Sequence, residues 1–205
     1  MSDIAMNQKL AVGATIKDGI AIGSKNIGSI LVNVLLWVLT VWIPYLNVGT
    51  TIGLMVGIVS KASKGEIISP TEIFNPQYRK YMGEFFLTSG LVGIGVAVAT
   101  AFFVIPGIVL GYAWSLAVLL AVDKGKNPSE AVSLSNKLTY GNKVRMFGIY
   151  LLVSLAFAIV AGLLALILNG VPALLVILMF ALILFAMFVS LGIQASIYRQ
   201  LTESV

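Results

Sequence analysis

This chain of 205 residues is 59% hydrophobic and only 10% charged, with a mean hydropathy of +1.02. Soluble domains run at about 45–50% apolar and about 25% charged, and a chain of this size leaves too many residues at its surface to hide the excess, so a soluble fold is excluded. Cys and His are both absent, which removes disulfides, thiolate nucleophiles, metal ligation through those side chains and the commonest general base.

The net charge of +5 has a topological cause. Lys and Arg collect in the cytoplasmic loops of membrane proteins, so the charge does not point to nucleic acid. Lys9, Lys17, Asp18 and Lys25 stand among the charged residues of the first 25. Those charges interrupt any short apolar core, so the segment does not read as a cleavable signal. A charge-free window follows over Asn26–Ser60, 35 residues long. A helix crosses the hydrocarbon in roughly 20 residues, so the window suits two crossings, predicted at 26–43 and 47–61 with Ile43-Pro44 at the turn. The second is short. Within it Gly49, Gly53 and Gly57 stand four apart, the spacing that lets helix backbones approach closely in lipid. Asn33, Thr40 and Asn47 recur every seven residues on this hairpin and form a candidate pore-lining stripe.

The linker 61–84 carries Ser69-Pro70-Thr71-Glu72, a pattern that predicts a capped helix start. Phe74, Tyr78, Tyr81, Met82 and Phe85 then recur at helical spacing, and Asn75-Pro76 breaks the run. The second window, Phe85–Val122, spans 38 residues and predicts crossings at 85–104 and 107–122 around Ile105-Pro106. Gly107, Gly111 and Ser115 repeat the small-residue spacing. The linker 123–145 opens on Asn127-Pro128-Ser129-Glu130, another capped start. Ala131, Leu134 and Leu138 lie opposite Glu130, Ser133 and Lys137 there, as in an amphipathic helix lying along the membrane surface. The last window, Met146–Tyr198, is 53 residues long and predicts crossings at 146–168 and 172–198 around Val171-Pro172. It contains Ser154, Ala158 and Gly162 in the same four-residue register, and the isolated polar residue Gln194.

The expected fold is therefore all-α: a polytopic membrane bundle of about six transmembrane helices, arranged as three Pro-tipped hairpins with amphipathic interfacial helices between them. It forms a single membrane domain over 1–205, with repeat-like units at about 1–65, 66–125 and 126–205. All charged residues fall in 1–25, 61–84, 123–145 and 199–205. If each hairpin crosses and returns, these segments share one face and both termini are cytoplasmic in a multi-pass protein of the cell membrane. Trp37, Trp42, Tyr45, Tyr112, Trp114, Tyr150 and Tyr198 suit interfacial anchoring.

Pro106-Gly107, the short span after it, Asn127-Pro128-Ser129-Glu130-Ala131, Tyr140-Gly141-Asn142-Lys143 and Tyr198-Arg199-Gln200-Leu201 resemble a prokaryotic family of uncharacterised six-helix membrane proteins. That family is related to the membrane domain attached to some glycerophosphoryl diester phosphodiesterases. The resemblance is best over 104–150 and implies a fold and a location. It implies no reaction, because the hydrolase residues of that relative belong to a separate soluble domain.

No catalytic, cofactor or metal site is expected. Glu66, Glu72, Glu84, Asp123 and Glu130 stand apart, and Glu72 and Glu130 occupy cap positions. The linker cations Lys61, Lys64, Arg79, Lys80, Lys124, Lys126, Lys137, Lys143 and Arg145 are candidate contacts for anionic lipid headgroups. The three small-residue stripes are candidate seams for helix packing or a homo-oligomer. The function expected is a non-enzymatic, self-associating scaffold or membrane-organising protein. A channel or permease-like protein for a small or amphipathic solute is the alternative, with Asn33, Thr40, Asn47 and Gln194 lining its path.

Overall fold

The computed structural model describes residues 9–203, and all regular structure among them is helical. Four stretches are long and apolar enough to cross a membrane. They are α6 (Met82–Phe102), the run of α7 (Val104–Ala113) into α8 (Ala117–Asp123), α10 (Lys143–Ile167) and α11 (Pro172–Thr202). A fifth exists only if α1 (Val12–Lys25) and α2 (Ile27–Thr40) count as one span, and these meet at a 68° bend.

Six crossings were expected, and the shortfall lies in the first charge-free window. α2 has 14 residues, which reach about 21 Å against a hydrocarbon core of about 30 Å. Beyond the Pro44 turn the chain forms α3 (Leu46–Ile52), a π-turn (Gly53–Gly57) and α4 (Ile58–Ser63). These pieces are apolar because protein surrounds them: Ile52, Val56, Ile58 and Val59 are all buried.

The proline tips also differ from one another. Pro44 lies in a turn and Pro172 is the first residue of α11, but Pro106 sits inside the first turn of α7. The break there is the extended residue Phe103, with φ −154° and ψ 129°. Proline is tolerated in the first turn because its missing N–H has no partner to lose. Across this break Gly107 packs on Thr100, and Gly95 on Trp114, so α7 runs back along α6.

The two similar linker motifs fold differently. Asn127 Oδ1 accepts from the Glu130 N–H at 2.9 Å and opens α9 (Pro128–Leu138), as its sequence predicts. The Ser69-Pro70-Thr71-Glu72 motif opens only a 3-10 turn, Glu72–Phe74, before α5 (Gln77–Lys80). Asn75 is extended ahead of Pro76, so no longer helix can form. The buried side of α9 faces protein. Ser135 Oγ donates to the Ala113 carbonyl at 2.8 Å and accepts from the Leu116 N–H at 3.1 Å, and Thr139 Oγ1 donates to the same carbonyl at 3.2 Å. The interrupted backbone between α7 and α8 is thus satisfied by the Ser135 hydroxyl of α9 and the Thr139 hydroxyl that caps its end.

α1 runs against the end of α11. Arg199 and Ser196 both donate to Asp18, and Gln200 Nε2 donates to Thr15 Oγ1 at 3.2 Å. Close approach requires glycine here: a Cβ on Gly192 would meet the backbone of Gly19 and Gly23, and one on Gly23 would meet the backbone of Phe188. The packed core gathers at this charged end, around Ile58, Leu116, Leu120, Ile193 and Ile197. Away from it the outer walls of the long helices are bare, with Leu155, Ile159, Leu163, Ile177 and Phe180 exposed.

Candidate functional site

The Gly49–Gly53–Gly57 stripe receives the chain's own linker. A Cβ on Gly49 would lie 2.8 Å from Arg79 Cγ, one on Gly53 would lie 2.7 Å from Ile73 Cα, and one on Gly57 would meet the Tyr78 ring. The π-turn covers this stretch, and π-turns recur where a helix must accommodate a functional contact. The linker is fixed from the other side by α2. Asn33 is fully buried, donates to the carbonyls of Ser29 (2.8 Å) and Ser69 (2.7 Å), and accepts from the Ile73 N–H at 3.0 Å. Asn26 accepts from the Ile68 N–H at 3.3 Å. At the far end, the Arg79 guanidinium lies 5.7 Å from the centre of the Tyr45 ring.

The clamped linker delivers Glu72 to the interior, so Glu72 is a buried carboxylate rather than the helix cap its sequence suggests. It keeps 3% of its side chain exposed, accepts from Lys61 Nζ at 2.8 Å on one oxygen, and from the Tyr78 hydroxyl at 2.6 Å on the other. Tyr78's phenol is pushed well above its ordinary range, first by burial and then by the hydrogen bond to, and charge of, Glu72. It therefore remains a protonated donor at physiological pH.

A second buried acid stands beside the first. Asp123, at the end of α8, keeps 7% of its side chain exposed. Lys64 Nζ donates to it at 2.7 Å, the Tyr198 hydroxyl at 2.9 Å, and Ser60 makes a third, short hydrogen bond. The two ion pairs border a cavity of about 340 Å³, lined by Ser60, Lys61, Lys64, Glu66, Tyr78 and Tyr81 among others. Glu72 and Asp123 are each paired with a lysine, and the cavity offers the remaining N–H donors of those lysines for binding. Among the described residues, no group of His, Cys, Asp and Glu could hold a metal ion.

The other residues singled out by sequence are dispersed. Thr40 Oγ1 donates to the Leu36 carbonyl at 2.9 Å, and Asn47 Nδ2 to the Val41 carbonyl at 2.9 Å, each closing its own local backbone. Gln194 is half-buried on α11. Of the linker cations, Lys80 lies over the Tyr81 ring, Lys143 donates to Asn136 Oδ1 at 3.0 Å, and Arg145 donates to the Leu10 carbonyl at 3.0 Å. Lys126 and Lys137 flank a groove on the outer side of α9, and Lys124 is exposed just beyond α8. Gly111 and Ser115 border an open groove with Phe147, whereas Ser154, Ala158 and Gly162 lie on an exposed face of α10.

Sequence reasoning took Asp123 as an isolated acid and Tyr198 as an interfacial anchor, and passed over the Gly19–Gly23 pair. The glycines carried the same four-residue signal as the other stripes but sat in a charged segment. Asp123 and Tyr198 are 75 positions apart and are joined only by the fold. No family model, curated protein or solved structure matches this chain.

Proposed function

We propose that this is a non-enzymatic, multi-pass protein of the cell membrane that self-associates and organises the bilayer around it. α6, α7–α8, α10 and α11 cross the membrane, both termini are cytoplasmic, and residues 9 to about 81 rest at the cytoplasmic face. The support for this topology is the clamp on the first hairpin. α2 and its tip touch the charged linker at Ile68, Ser69, Ile73 and Arg79, whereas a crossing hairpin would hold its tip about 30 Å away. Four crossings also keep every charged segment on one face, as five would not.

The observation that carries the scaffold reading is the contrast between the two ends of the molecule. At the charged end the enclosed acids Glu72 and Asp123 are each paired with a lysine, while the outer wall of α10 is bare along Ser154, Ala158 and Gly162. Small residues in that register admit a second helix backbone. Native mass spectrometry from detergent tests it: the parent runs as an oligomer and Ala158→Phe as a monomer. A strictly monomeric parent would sink the proposal. The topology has a separate test in single cysteines, which this Cys-free chain makes clean. Cysteines at Trp42 and Ser129 label from one side and a cysteine at Asn169 from the other; labelling of Trp42 together with Asn169 would restore the crossing hairpin.

A further inference from the structure

The cavity beside Lys61 and Lys64 has a charge balance that selects its ligand. Its lining sets two ammonium groups, Lys61 and Lys64, against two carboxylates, Glu66 and Asp123, while Glu72 lies behind Lys61 as its ion-pair partner. A Lys ammonium carries three N–H donors. Lys61 directs one to Glu72, and Lys64 directs two, to Asp123 and Ser60. Both therefore retain donors. Glu66 lines the same cavity, is exposed, and makes no side-chain hydrogen bond or ion pair among the described residues. Its carboxylate is free to accept.

We infer that this cavity binds an ammonium–phosphate zwitterion, the chemistry of a phosphatidylethanolamine headgroup. Phosphate oxygens accept from the remaining N–H groups of Lys61 and Lys64, and the primary ammonium donates to Glu66. The Tyr78 and Tyr81 side chains help to wall the site. A purely anionic headgroup has no ammonium to offer Glu66 and meets its carboxylate with like charge. A choline headgroup has no N–H to offer Glu66. The volume of about 340 Å³ falls within the roughly 300–1,000 Å³ of small-ligand sites. A lipid source follows from depth, and this step rests on the proposed topology. Tyr81 immediately precedes α6 and Asp123 ends α8, so the cavity lies where two spans leave the bilayer.

The test uses the full chain in nanodiscs of equimolar dioleoyl phosphatidylethanolamine, phosphatidylglycerol and phosphatidylcholine. After detergent extraction, native mass spectrometry reads which lipid stays bound. Phosphatidylethanolamine is retained about tenfold over the other two, the worth of one charge-assisted hydrogen bond. Glu66→Gln removes its advantage over phosphatidylcholine, and Glu66→Lys transfers the preference to phosphatidylglycerol. Glu66 makes no side-chain hydrogen bond or ion pair among the described residues, so both variants keep the unfolding midpoint of the lipid-depleted parent. Equal retention of the three lipids, or a phosphatidylethanolamine preference that survives Glu66→Gln, overturns the assignment. Binding of free phosphoethanolamine by lipid-depleted protein, lost in Glu66→Gln, would support the same chemistry with a soluble source. Failure of the topology would appear instead in the cysteine labelling.

Discussion

Replacing Lys61 by methionine destabilises the protein by about 3–5 kcal/mol, and adding Glu72→Gln to the same chain recovers most of the loss. Glu72 is almost wholly enclosed and has two charged or polar partners, Lys61 and Tyr78. Methionine keeps the length and apolar stem of lysine but removes the counter-charge, leaving a buried carboxylate with one hydroxyl donor. The dominant cost is the desolvation of that uncompensated charge, which far exceeds the loss of one hydrogen bond. Lys61 retains 29% of its side-chain exposure, so solvent screening places the effect at the lower end of the range. Neutralising Glu72 removes the penalty at its source, because a glutamine amide can still accept from Tyr78. Equilibrium unfolding of the parent, both single variants and the double variant in one detergent gives the coupling directly. Equal destabilisation of Lys61→Met and Lys61→Met/Glu72→Gln would show that the pair does not act as a buried unit.

The contrast between Glu72 and Glu130 shows how much the sequence could convey. Both stand third after a Pro-containing cap motif, and that local pattern predicts the same role for each. Only Asn127 caps a helix, since nothing downstream interrupts α9, whereas Pro76 cuts short the helix after Glu72. The long spans were legible because lipid demands an unbroken apolar run, and α6, α10 and α11 fall where the charge-free windows place them. The first window holds no single helix long enough to cross, and the burial of Ile52, Val56, Ile58 and Val59 accounts for the apolar composition of its second half. A segment enclosed by its own protein becomes as apolar as one enclosed by lipid, and composition cannot tell the two surroundings apart. Gly49, Gly53 and Gly57 did announce a close approach, but the partner proved to be Ile73, Tyr78 and Arg79 from the next linker, not another span. The cavity was illegible for a related reason. Ser60, Lys64, Asp123 and Tyr198 lie on three separate elements, and no local pattern links them.

Gly192→Leu releases α1 from α11. A Cβ at this position would press on the Gly19 carbonyl and lie 2.8 Å from the Gly23 nitrogen. Both are backbone atoms within a helix, so no rotamer change can clear them and α1 must move as a unit. Overpacking usually costs about 1–3 kcal/mol when side chains can yield; here the yielding element is a whole helix. Its displacement also takes away the Asp18–Arg199 pair, the Thr15–Gln200 contact and the hydrogen bond from the Leu10 N–H to Asn142. A disulfide formed by oxidising cysteines at Thr15 and Gln200, whose side chains are in contact, reports the result, since the parent has no cysteine to compete. The bridge forms in the parent, fails in Gly192→Leu and fails again in Gly19→Leu, where the same crossing is blocked from the other side. Gly13→Leu is the control: it lies on α1 with nothing within 4 Å of its Cβ position, so it adds the same bulk to the helix without touching α11. A bridge that persists in Gly192→Leu would mean that the crossing tolerates bulk, and that the polar contacts alone hold α1 in place. Loss of the bridge in Gly13→Leu as well would trace the effect to the helix rather than to its packing. Loss in Gly192→Leu and Gly19→Leu alone identifies the glycine crossing as what holds α1 against the end of α11.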